Sequence, residues 1–453
     1  MKRAQLTVLA AVMALPGLAR ASGFAAARFG GEHGTVTTTN PTALYYNPAG
    51  MAFSEGTHLY LDGTLALRHA TWTHAQAATD EPEPPGAQGA SFGKATLFNV
   101  FGGPALGATT RLGPLALGTA VTVPFGGRAS WDKNERVAGN AMFPLAADGV
   151  QRWHGTTGNL AFIYFTGGAA LRLGPVGIGV AGNLIRASVA STQAKTPTGD
   201  GTPDLEREGR AVLDVKGWLG SFALGATAEV VEGQLWLAAS YQAQPGLGQM
   251  KLNGSLTQLY RGDSTPFPAS FYQSLPDITR VGVRYQPSPT AEVRVSGEFT
   301  RWSVLRTQCV GLRDQECAVD PTGADASKNG SVLQNLRRKW TDSYGLRAGA
   351  SHWLPSGTEL FAGLGLETAA APDDTLDPGL ADATNIAASL GGRFALTKTL
   401  FLAASYTHIQ YLDRDNTGSS RLADAVPPTK RPDGGGLYTQ WIGLLNLNVE
   451  KQF

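Results

Sequence analysis

The connections between the regular segments of this chain alternate between very short and long, and this feature constrains the fold most. From Gly56 onward, apolar and polar residues alternate with a period of two, which is typical of β-strands with two different faces. In an up-and-down meander, every second connection lies on the same side. One side of this sheet therefore carries only tight turns and the other only long loops, as in a transmembrane β-barrel.

Fourteen alternating segments predict an all-β fold, a 14-stranded antiparallel barrel with both ends on the side of the tight turns. The predicted strands are 57–70, 93–112, 115–124, 157–173, 176–191, 208–230, 235–251, 277–287, 291–304, 341–354, 358–368, 385–396, 399–412 and 437–453. The short connections are 113–114, 174–175, 231–234, 287–290, 355–357 and 396–398. The long connections are 71–92, 125–156, 192–207, 252–276, 305–340, 369–384 and 413–436.

Single segments show the two faces of a barrel wall. In 291–300, one face holds Ala, Val, Gly and Phe, and the other holds Glu, Arg, Ser and Thr. The last segment repeats this pattern and ends on Phe453, which is typical of barrels delivered to the outer-membrane barrel assembly machinery. A soluble sheet with one wet face is the alternative. A closed barrel is favoured because it leaves no unpaired edge in lipid.

The first residues predict a secretory signal peptide at 1–21. Lys2 and Arg3 precede a short apolar stretch, and Ala19-Arg20-Ala21 fits the small-x-small cleavage rule. An N-terminal anchor helix is the alternative, but the apolar run is shorter than a membrane-spanning helix requires. We therefore expect an exported protein in the outer membrane of a Gram-negative bacterium, with an N-terminal unit at 22–55 and a barrel at 56–453.

The composition argues against several classes of protein. With 37 Lys and Arg against 36 Asp and Glu, the formal net charge is +1, so there is no reason to expect a nucleic acid partner. No His is spaced with a carboxylate as a metal ligand, and neither a Gly-x-Ser-x-Gly elbow nor a phosphate loop is present. We expect no enzyme activity, no metal and no cofactor. A barrel lipase with a serine and a histidine on its wall is the enzymatic alternative.

The chain has two cysteines, Cys309 and Cys317, which are close in sequence. In an oxidising compartment this spacing predicts one disulfide that closes a small loop. Two free thiols are the alternative.

Residues 40–51, directly before the first predicted strand, are unlike the rest of the chain. They contain two Asn-Pro pairs, which favour turns, and the prolines Pro41 and Pro48 stiffen the backbone. Because this stretch enters from the side of the tight turns, it can fold back into the lumen. We therefore predict a plug with Asn47, Pro48, Ala49 and Gly50 at its centre.

These residues, the strand number and the ending together resemble the outer-membrane long-chain fatty acid transporters of the FadL/TodX type. The most specific match is Asn47-Pro48-Ala49-Gly50-Met51, which is similar to the NPA segment of the family's N-terminal hatch. The resemblance implies a hatch-closed barrel that binds long-chain fatty acids or other hydrophobic molecules and releases them sideways through a gap in the wall. One departure is the threonine-rich run at 35–39, where the family often has alanines; threonine has a weaker helix propensity.

We expect two groups of ligand-binding residues. The apolar group lies in or near the hatch and comprises Phe24, Phe29, Leu44, Tyr45 and Phe53. The cationic group is predicted on lumen faces and comprises Arg280, Arg284, Arg294, Arg347 and Arg393. Of these, we expect Arg284, Arg294 and Arg347 to contact the ligand. Arginine can hold a carboxylate with two parallel hydrogen bonds. The alternatives are packing of the hatch against the wall and a structural ladder of arginines with Glu292 and Glu298.

The long loops at 139–153 and 255–273 carry apolar residues, among them Phe143, Phe267 and Phe271. Because exposed apolar clusters need a reason, we predict that these segments form an outer capture groove.

The expected function is passive uptake of hydrophobic compounds, with long-chain fatty acids as the first substrate class. Aromatic or alkane hydrocarbons are a second class, and a structural or receptor barrel without transport is a third alternative. The expected partners are the hydrophobic ligand and outer-membrane lipids, and the barrel is expected to be a monomer. A hatch that follows directly on the signal peptide leaves no upstream segment to engage an energy source, so we expect a passive channel that is gated by ligand binding, with the hatch as its gate.

Overall fold

The computed structural model describes residues 28–78 and 80–453; the expected signal peptide at 1–21 and Phe24 lie outside this part. The described residues form 19 strands in one sheet. Fourteen of them close into an antiparallel barrel, in which the last strand pairs with the first from His58 opposite Gln452 to Thr73 opposite Leu437. The predicted barrel with fourteen wall strands is confirmed.

The wall strands follow one another around the barrel in chain order. They are β1 (Thr57–His74), β2 (Gly93–Leu112), β3 (Leu115–Ser130), β4 (Thr157–Leu173), β5 (Val176–Lys195), β6 (Gly209–Val231), β7 (Leu235–Gln242), β10 (Ile278–Ser288), β11 (Ala291–Thr300), β14 (Ser343–Trp353), β15 (Glu359–Glu367), β16 (Asn385–Thr397), β17 (Leu400–Tyr411) and β19 (Leu437–Gln452).

Four further strands extend the wall on the side of the long loops. They are β8 (Gln249–Tyr260), β9 (Asp263–Ser274), β12 (Thr307–Leu312) and β13 (Val332–Arg337), and β18 (Arg414–Asp415) is a two-residue addition. They pair in the order β6–β8–β9–β12–β13. The prediction of loops throughout 252–276 and 305–340 is therefore wrong. Pro266 and Pro268 within β9 are unfavourable in strands, and they hid the pairing from the sequence pattern.

The two faces of the wall differ as the alternation predicts. Along β19, Leu447 is 61% exposed on the outside, whereas the neighbouring Asn446 is 1% exposed and faces the lumen. Outward aromatic rings pair across strands, for example Phe165 with Trp218 at 6.1 Å and Phe299 with Tyr344 at 5.4 Å between ring centroids. An apolar band with aromatic residues is typical of a wall that faces lipid.

Cys309 and Cys317 form a disulfide between β12 and the loop that follows it. Within the described ranges, no helix is both long and apolar enough to cross a membrane. The same residues contain no group of His, Cys, Asp and Glu side chains placed to hold a metal ion.

Candidate functional site

Residues from Arg28 to Glu55 fold as a compact hatch inside the barrel. Two 3-10 turns, Gly31–His33 and Pro48–Phe53, flank a single helical turn, Ala43–Tyr46. The threonine-rich run at 35–39 is not helical, in agreement with its weak helix propensity. Pro48 starts the second 3-10 turn, where its missing N–H costs nothing.

Asn47 joins the hatch to the wall. Its side chain is fully buried, and its Nδ2 donates to the carbonyl of Val36 at 2.9 Å within the hatch. The same amide donates to the wall, to the Ala226 carbonyl at 3.2 Å and Thr227 Oγ1 at 3.0 Å on β6. Its Oδ1 accepts from the Ala49 N–H at 3.1 Å and caps the next turn.

Three pairs of glycines that face each other on adjacent strands make room for the hatch. Gly179 lies opposite Gly225, and Asn47, Pro48 and Ala49 occupy the space that their side chains would fill. In the same way, Leu44 and Met51 lie over Gly118 and Gly168, and the Glu32 carboxylate lies over Gly349 and Gly363. We call these three pairs the glycine sockets. Each allows the hatch to approach the wall backbone more closely than a β-carbon permits.

Polar contacts fix the opposite side of the hatch. Glu32 accepts a hydrogen bond from Ser389 Oγ at 2.5 Å, and His33 Nε2 lies 2.8 Å from Glu359 Oε1. Arg347 Nη2 donates to the Gly34 carbonyl at 2.9 Å. Ser240 donates to the Tyr46 carbonyl at 2.6 Å. The hatch is therefore bound to β7, β14, β15 and β16 as well as to β6.

The apolar candidates of the hatch pack against the wall and one another. Leu44 is 1% exposed and belongs to a cluster with alanines of β3 to β6. The rings of Phe29 and Tyr45 meet edge to face at 5.1 Å. The Arg172 guanidinium lies over the Phe53 ring at 4.7 Å. In these positions the side chains pack the hatch against the wall, which is the alternative to ligand binding stated for them above.

The arginine candidates face the lumen, but the structure places them at or below the hatch. Arg294 pairs with Glu292 at 2.6 Å, and both line a polar vestibule together with Arg284 and hatch threonines. Arg284 stacks on Trp236 at 3.9 Å. Arg280 pairs with Glu298 at 2.6 Å. This is the predicted charge ladder, and it gives each of these arginines a partner within the protein.

A mostly apolar cavity of about 1280 Å³, larger than the polar vestibule, lies on the loop side of the hatch. It is enclosed by the loop-side ends of the wall strands and by the loops. Among the described residues that line it, none is Asp or Glu. Its main apolar lining residues are Trp131, Leu160, Val189, Leu213, Leu256, Phe271, Val310, Leu336, Trp340 and Leu380. We call this space the upper cavity, and its mostly apolar lining with a few polar side chains suits a hydrophobic ligand.

A few polar side chains line the upper cavity, and sequence reasoning missed them. Arg338 pairs with Asp377 at 2.7 Å, and Arg68 donates to Gln440 Oε1 at 2.7 Å. Burial lowers the pKa of His154 to about 4, so this ring is neutral near pH 7. Only Arg68 lies on a strand whose alternation could have identified it. The other two lie in different long connections that only the fold brings together.

The wall is open between β2 and β3 beside this cavity. The two strands pair only from Leu106 opposite Val121 to the turn that joins them. Higher up, the next hydrogen bonds between these strands in the described chain join the Asn99 side chain to the Ser130 backbone, at 2.9 and 3.1 Å. Residues 100–105 and 122–129 face each other without ladder pairing among the described strands. We call this opening the wall gap.

The wall gap has a local cause. Pro124 has no N–H to donate, and the β3–β4 register shifts between Thr122 and Phe125. Beyond this bulge, β3 follows β4 and leaves β2. Residues Gly126 and Gly127 of this stretch line the upper cavity, so the gap opens into it.

The predicted capture residues do not form one exposed cluster. Phe143 is 7% exposed and packs with Ala87, Val137 and Leu205 in the loops. Phe271 is 3% exposed and lines the upper cavity, while Phe267 is partly exposed. The expectation of exposure was wrong for Phe143 and Phe271, because the loops fold over the barrel mouth. Their role in capture stays a prediction.

The chain matches a known family over most of its length. The family described as "Outer membrane protein transport protein (OMPP1/FadL/TodX)" matches residues 5–427. A comparison with curated proteins finds no match.

Solved structures share the fold at low sequence identity. A FadL homologue of Pseudomonas aeruginosa superposes with a TM-score of 0.74 at 16% identity, over 96% of this chain and 98% of that one. The Pseudomonas putida toluene transporter TodX has a TM-score of 0.60 at 14% identity, over 97% and 99%. The Ralstonia pickettii toluene transporter TbuX has a TM-score of 0.59 at 15% identity, over 91% and 94%. The chain, a hatch-closed barrel of fourteen strands, belongs to the OMPP1/FadL/TodX family of outer-membrane channels for hydrophobic compounds.

Proposed function

We propose that this protein takes up long-chain fatty acids by passive passage through the upper cavity and the wall gap. The observation that carries the proposal is the connection between the two: residues of β3 at the gap, Gly126 and Gly127, also line the cavity. Below the cavity, the hatch and its buried contacts obstruct the axial route. A ligand in the cavity therefore has its least obstructed exit sideways, into the lipid around the barrel.

The physical driving force is burial of apolar surface. Transfer from water into the cavity is favourable by about 25 cal/mol per Å² of apolar area, and lipid offers a comparable environment after the cavity. The exit step thus needs no energy source. The hatch is proposed as the gating element. Asn47 hydrogen-bonds both within the hatch and to β6, so movement of the hatch away from β6 would break the bonds to the wall.

Uptake of aromatic or alkane hydrocarbons is a second candidate. It is favoured by the likeness in fold to TodX and TbuX, which are named toluene transporters. The shared fold leaves the ligand open because the identity is low. The apolar lining of the upper cavity suits either class.

Two measurements test the proposal. Protein purified in mild detergent is extracted, and bound lipid is identified by mass spectrometry. In parallel, uptake of labelled fatty acid and labelled toluene is compared between cells with and without the gene. Bound fatty acid and a fatty acid uptake defect support the proposal. A toluene defect alone supports the second candidate, and absence of both ligand and defect supports a structural role.

A further inference from the structure

The outer face of β5 and β6 changes from apolar to cationic towards the loops. On β5, the outward positions from Val176 to Leu184 are Val, Ile, Val, Gly and Leu, and the next outward residue is Arg186. On β6, the exposed ring of Trp218 is followed in the same direction by Lys216. Aromatic residues flank the apolar band of a barrel wall. The two cations therefore lie at the loop-side edge of the surface that faces lipid.

Arg186 and Lys216 are close together on this surface. Arg186 lies directly opposite Trp218 in the β5–β6 ladder, and its guanidinium is 5.3 Å from the centroid of the Trp218 ring. Lys216 is two residues further along β6, which makes it the diagonal neighbour of Arg186. Diagonal neighbours are about 7–8 Å apart and within reach of long side chains. Both cations can therefore contact one group that rests beside Trp218.

Two further cations extend the positive surface. Lys251 faces outwards on β8, the strand that pairs with the loop-side end of β6. Arg313 is exposed and donates to the Gly254 carbonyl of β8 at 3.0 Å. Two carboxylates lie nearby, Asp314, which pairs with Lys251, and Asp214 on the outer face of β6. Four cations against two carboxylates leave an excess of two positive charges. We call the cations the outer basic patch: Arg186, Lys216, Lys251 and Arg313.

The outer basic patch is local to one part of the wall. Throughout 28–78 and 80–453, the ion pairs found include neither Arg186 nor Lys216. At the same end of the β1–β19 pair, the outward residues are Thr71 and Thr439, whose hydroxyl groups lie 2.8 Å apart and hydrogen-bond to each other. The positive charge on β5, β6 and β8 is thus not a general feature of the barrel rim.

We propose that the outer basic patch binds the phosphorylated headgroup of a lipid in the leaflet on the loop side, with the acyl chains along the apolar face of β5 and β6. The occupant is anionic because the patch carries excess positive charge, and amphipathic because the patch borders the apolar band. Phosphate oxygens accept charge-assisted hydrogen bonds from Arg186 and Lys216. This lipid differs from the transported compound, since the patch lies on the outer surface, away from the wall gap between β2 and β3.

The test measures binding of lipid A, a glycolipid with two phosphates, to the purified full-length protein in detergent by native mass spectrometry. The double variant Arg186→Gln with Lys216→Gln is expected to weaken lipid A binding by about tenfold or more, because it removes two of the four cations. The matched control is Lys94→Gln with Lys133→Gln, which removes the same charge from exposed loop-side positions outside the patch and should bind lipid A as the wild type does. Phosphatidylcholine, whose headgroup has no net charge, should bind more weakly than lipid A.

Folding of every variant is checked by the heat-dependent gel shift that closed barrels show in detergent. Equal lipid A affinity in the double variant and the wild type overturns the inference, because the two cations then only extend into water. An equal loss in the control also overturns it, since net charge alone then explains binding. Phosphatidylcholine binding as tight as that of lipid A would show that the headgroup charge is not recognised. Displacement of lipid A by inorganic phosphate would assign the patch to a free anion instead of a lipid.

Discussion

Asn47 is the residue on which the attachment of the hatch to β6 depends. Its amide makes three donor contacts and one acceptor contact in a fully buried site. Asn47 is 0% exposed, so losing these bonds leaves buried polar groups unpaired. Both neighbours of Asn47 are also constrained, since the Tyr46 carbonyl accepts from Ser240 and Pro48 fixes its own φ angle.

Asn47→Ala is expected to loosen the hatch by about 1–3 kcal/mol, because it unpairs buried groups. Single-channel recording in planar bilayers should show more frequent ion-conducting events than the wild type. Asn40→Ala is the matched control, since among the described residues the Asn40 side chain hydrogen-bonds only to Thr42. Conductance equal to wild type would remove Asn47 from the gating role.

The double variant Asn47→Ala with Pro48→Ala tests the hatch as a whole. Unchanged ligand uptake in this variant would show that the hatch plays no part in the mechanism.

His154 predicts how the loops respond to acid. Its ring lies edge-on to Trp72 at 5.6 Å, near Asp377, Arg431 and His74. Burial lowers its pKa from 6.5 to about 4, so the folded loops favour the neutral ring. Unfolding then takes up a proton, and loop stability falls as the pH drops from about 6.5 to about 4.

We expect protease cleavage of the loops to increase over that pH window in the wild type, and to change much less in His154→Gln. The lowered pKa of Asp377 acts in a different window, because its stabilising charge is lost only below about pH 3.8. Parallel pH profiles for the two proteins would contradict this role of His154.

For single residues, the sequence predicts which face of the wall a side chain lies on better than its height along the barrel axis. Alternation correctly places Arg294 and Arg347 towards the lumen, since side chains alternate along a strand. It gives no height along the barrel axis, which depends on register with neighbouring strands. The structure therefore finds Arg294 below the hatch with Glu292, away from the upper cavity.

Among the elements, the glycine sockets explain how a hatch fits a barrel of this size. On β5, a β-carbon at Gly179 would lie 2.5 Å from the Pro48 carbonyl carbon, whereas one at Gly182 meets no atom of the described residues within 4 Å. A single methyl group therefore has opposite consequences at two positions of the same strand. The high glycine content, 57 of 453 residues, is partly a requirement of hatch docking.

Gly179→Ala is expected to displace the Pro48 turn and raise the ion conductance of the channel, because overpacking by one carbon costs about 1–3 kcal/mol. Gly182→Ala, on the same strand, should leave conductance unchanged. The heat-dependent gel shift should show a closed barrel in both variants. A Gly179→Ala channel as tight as the Gly182→Ala control would show that the socket is not needed.

Element boundaries were predictable where alternation was uninterrupted. The segments at 93–112 and 157–173 match β2 and β4 residue for residue. The extensions β8, β9, β12 and β13 were missed, because prolines and interruptions such as Pro245–Leu247 break the period. Hydrogen bonding between segments far apart in the chain maintains these strands, and a single-sequence pattern does not contain that information.

In the whole molecule, the upper cavity and the wall gap are formed by segments that lie far apart in the sequence. The cavity lining comes from wall strands, from the extensions and from the loop around Leu380. No local pattern predicts that these residues meet. The resemblance to a family implied a lateral opening, and the structure supplies its place between residues 100–105 and 122–129.

The central claim is that hydrophobic compounds leave the cavity sideways through the wall gap. Uptake of a labelled long-chain fatty acid by cells producing Gly127→Trp tests it most directly, because Gly127 lines the cavity and has open space within 4 Å of its β-carbon position. Gly220→Trp is the control, placing the same bulk on the outward face of β6, away from the gap. The account predicts a loss of uptake of about tenfold or more in Gly127→Trp, with bound ligand retained in the purified protein and normal uptake in the control. Wild-type uptake by a correctly folded Gly127→Trp barrel would contradict it.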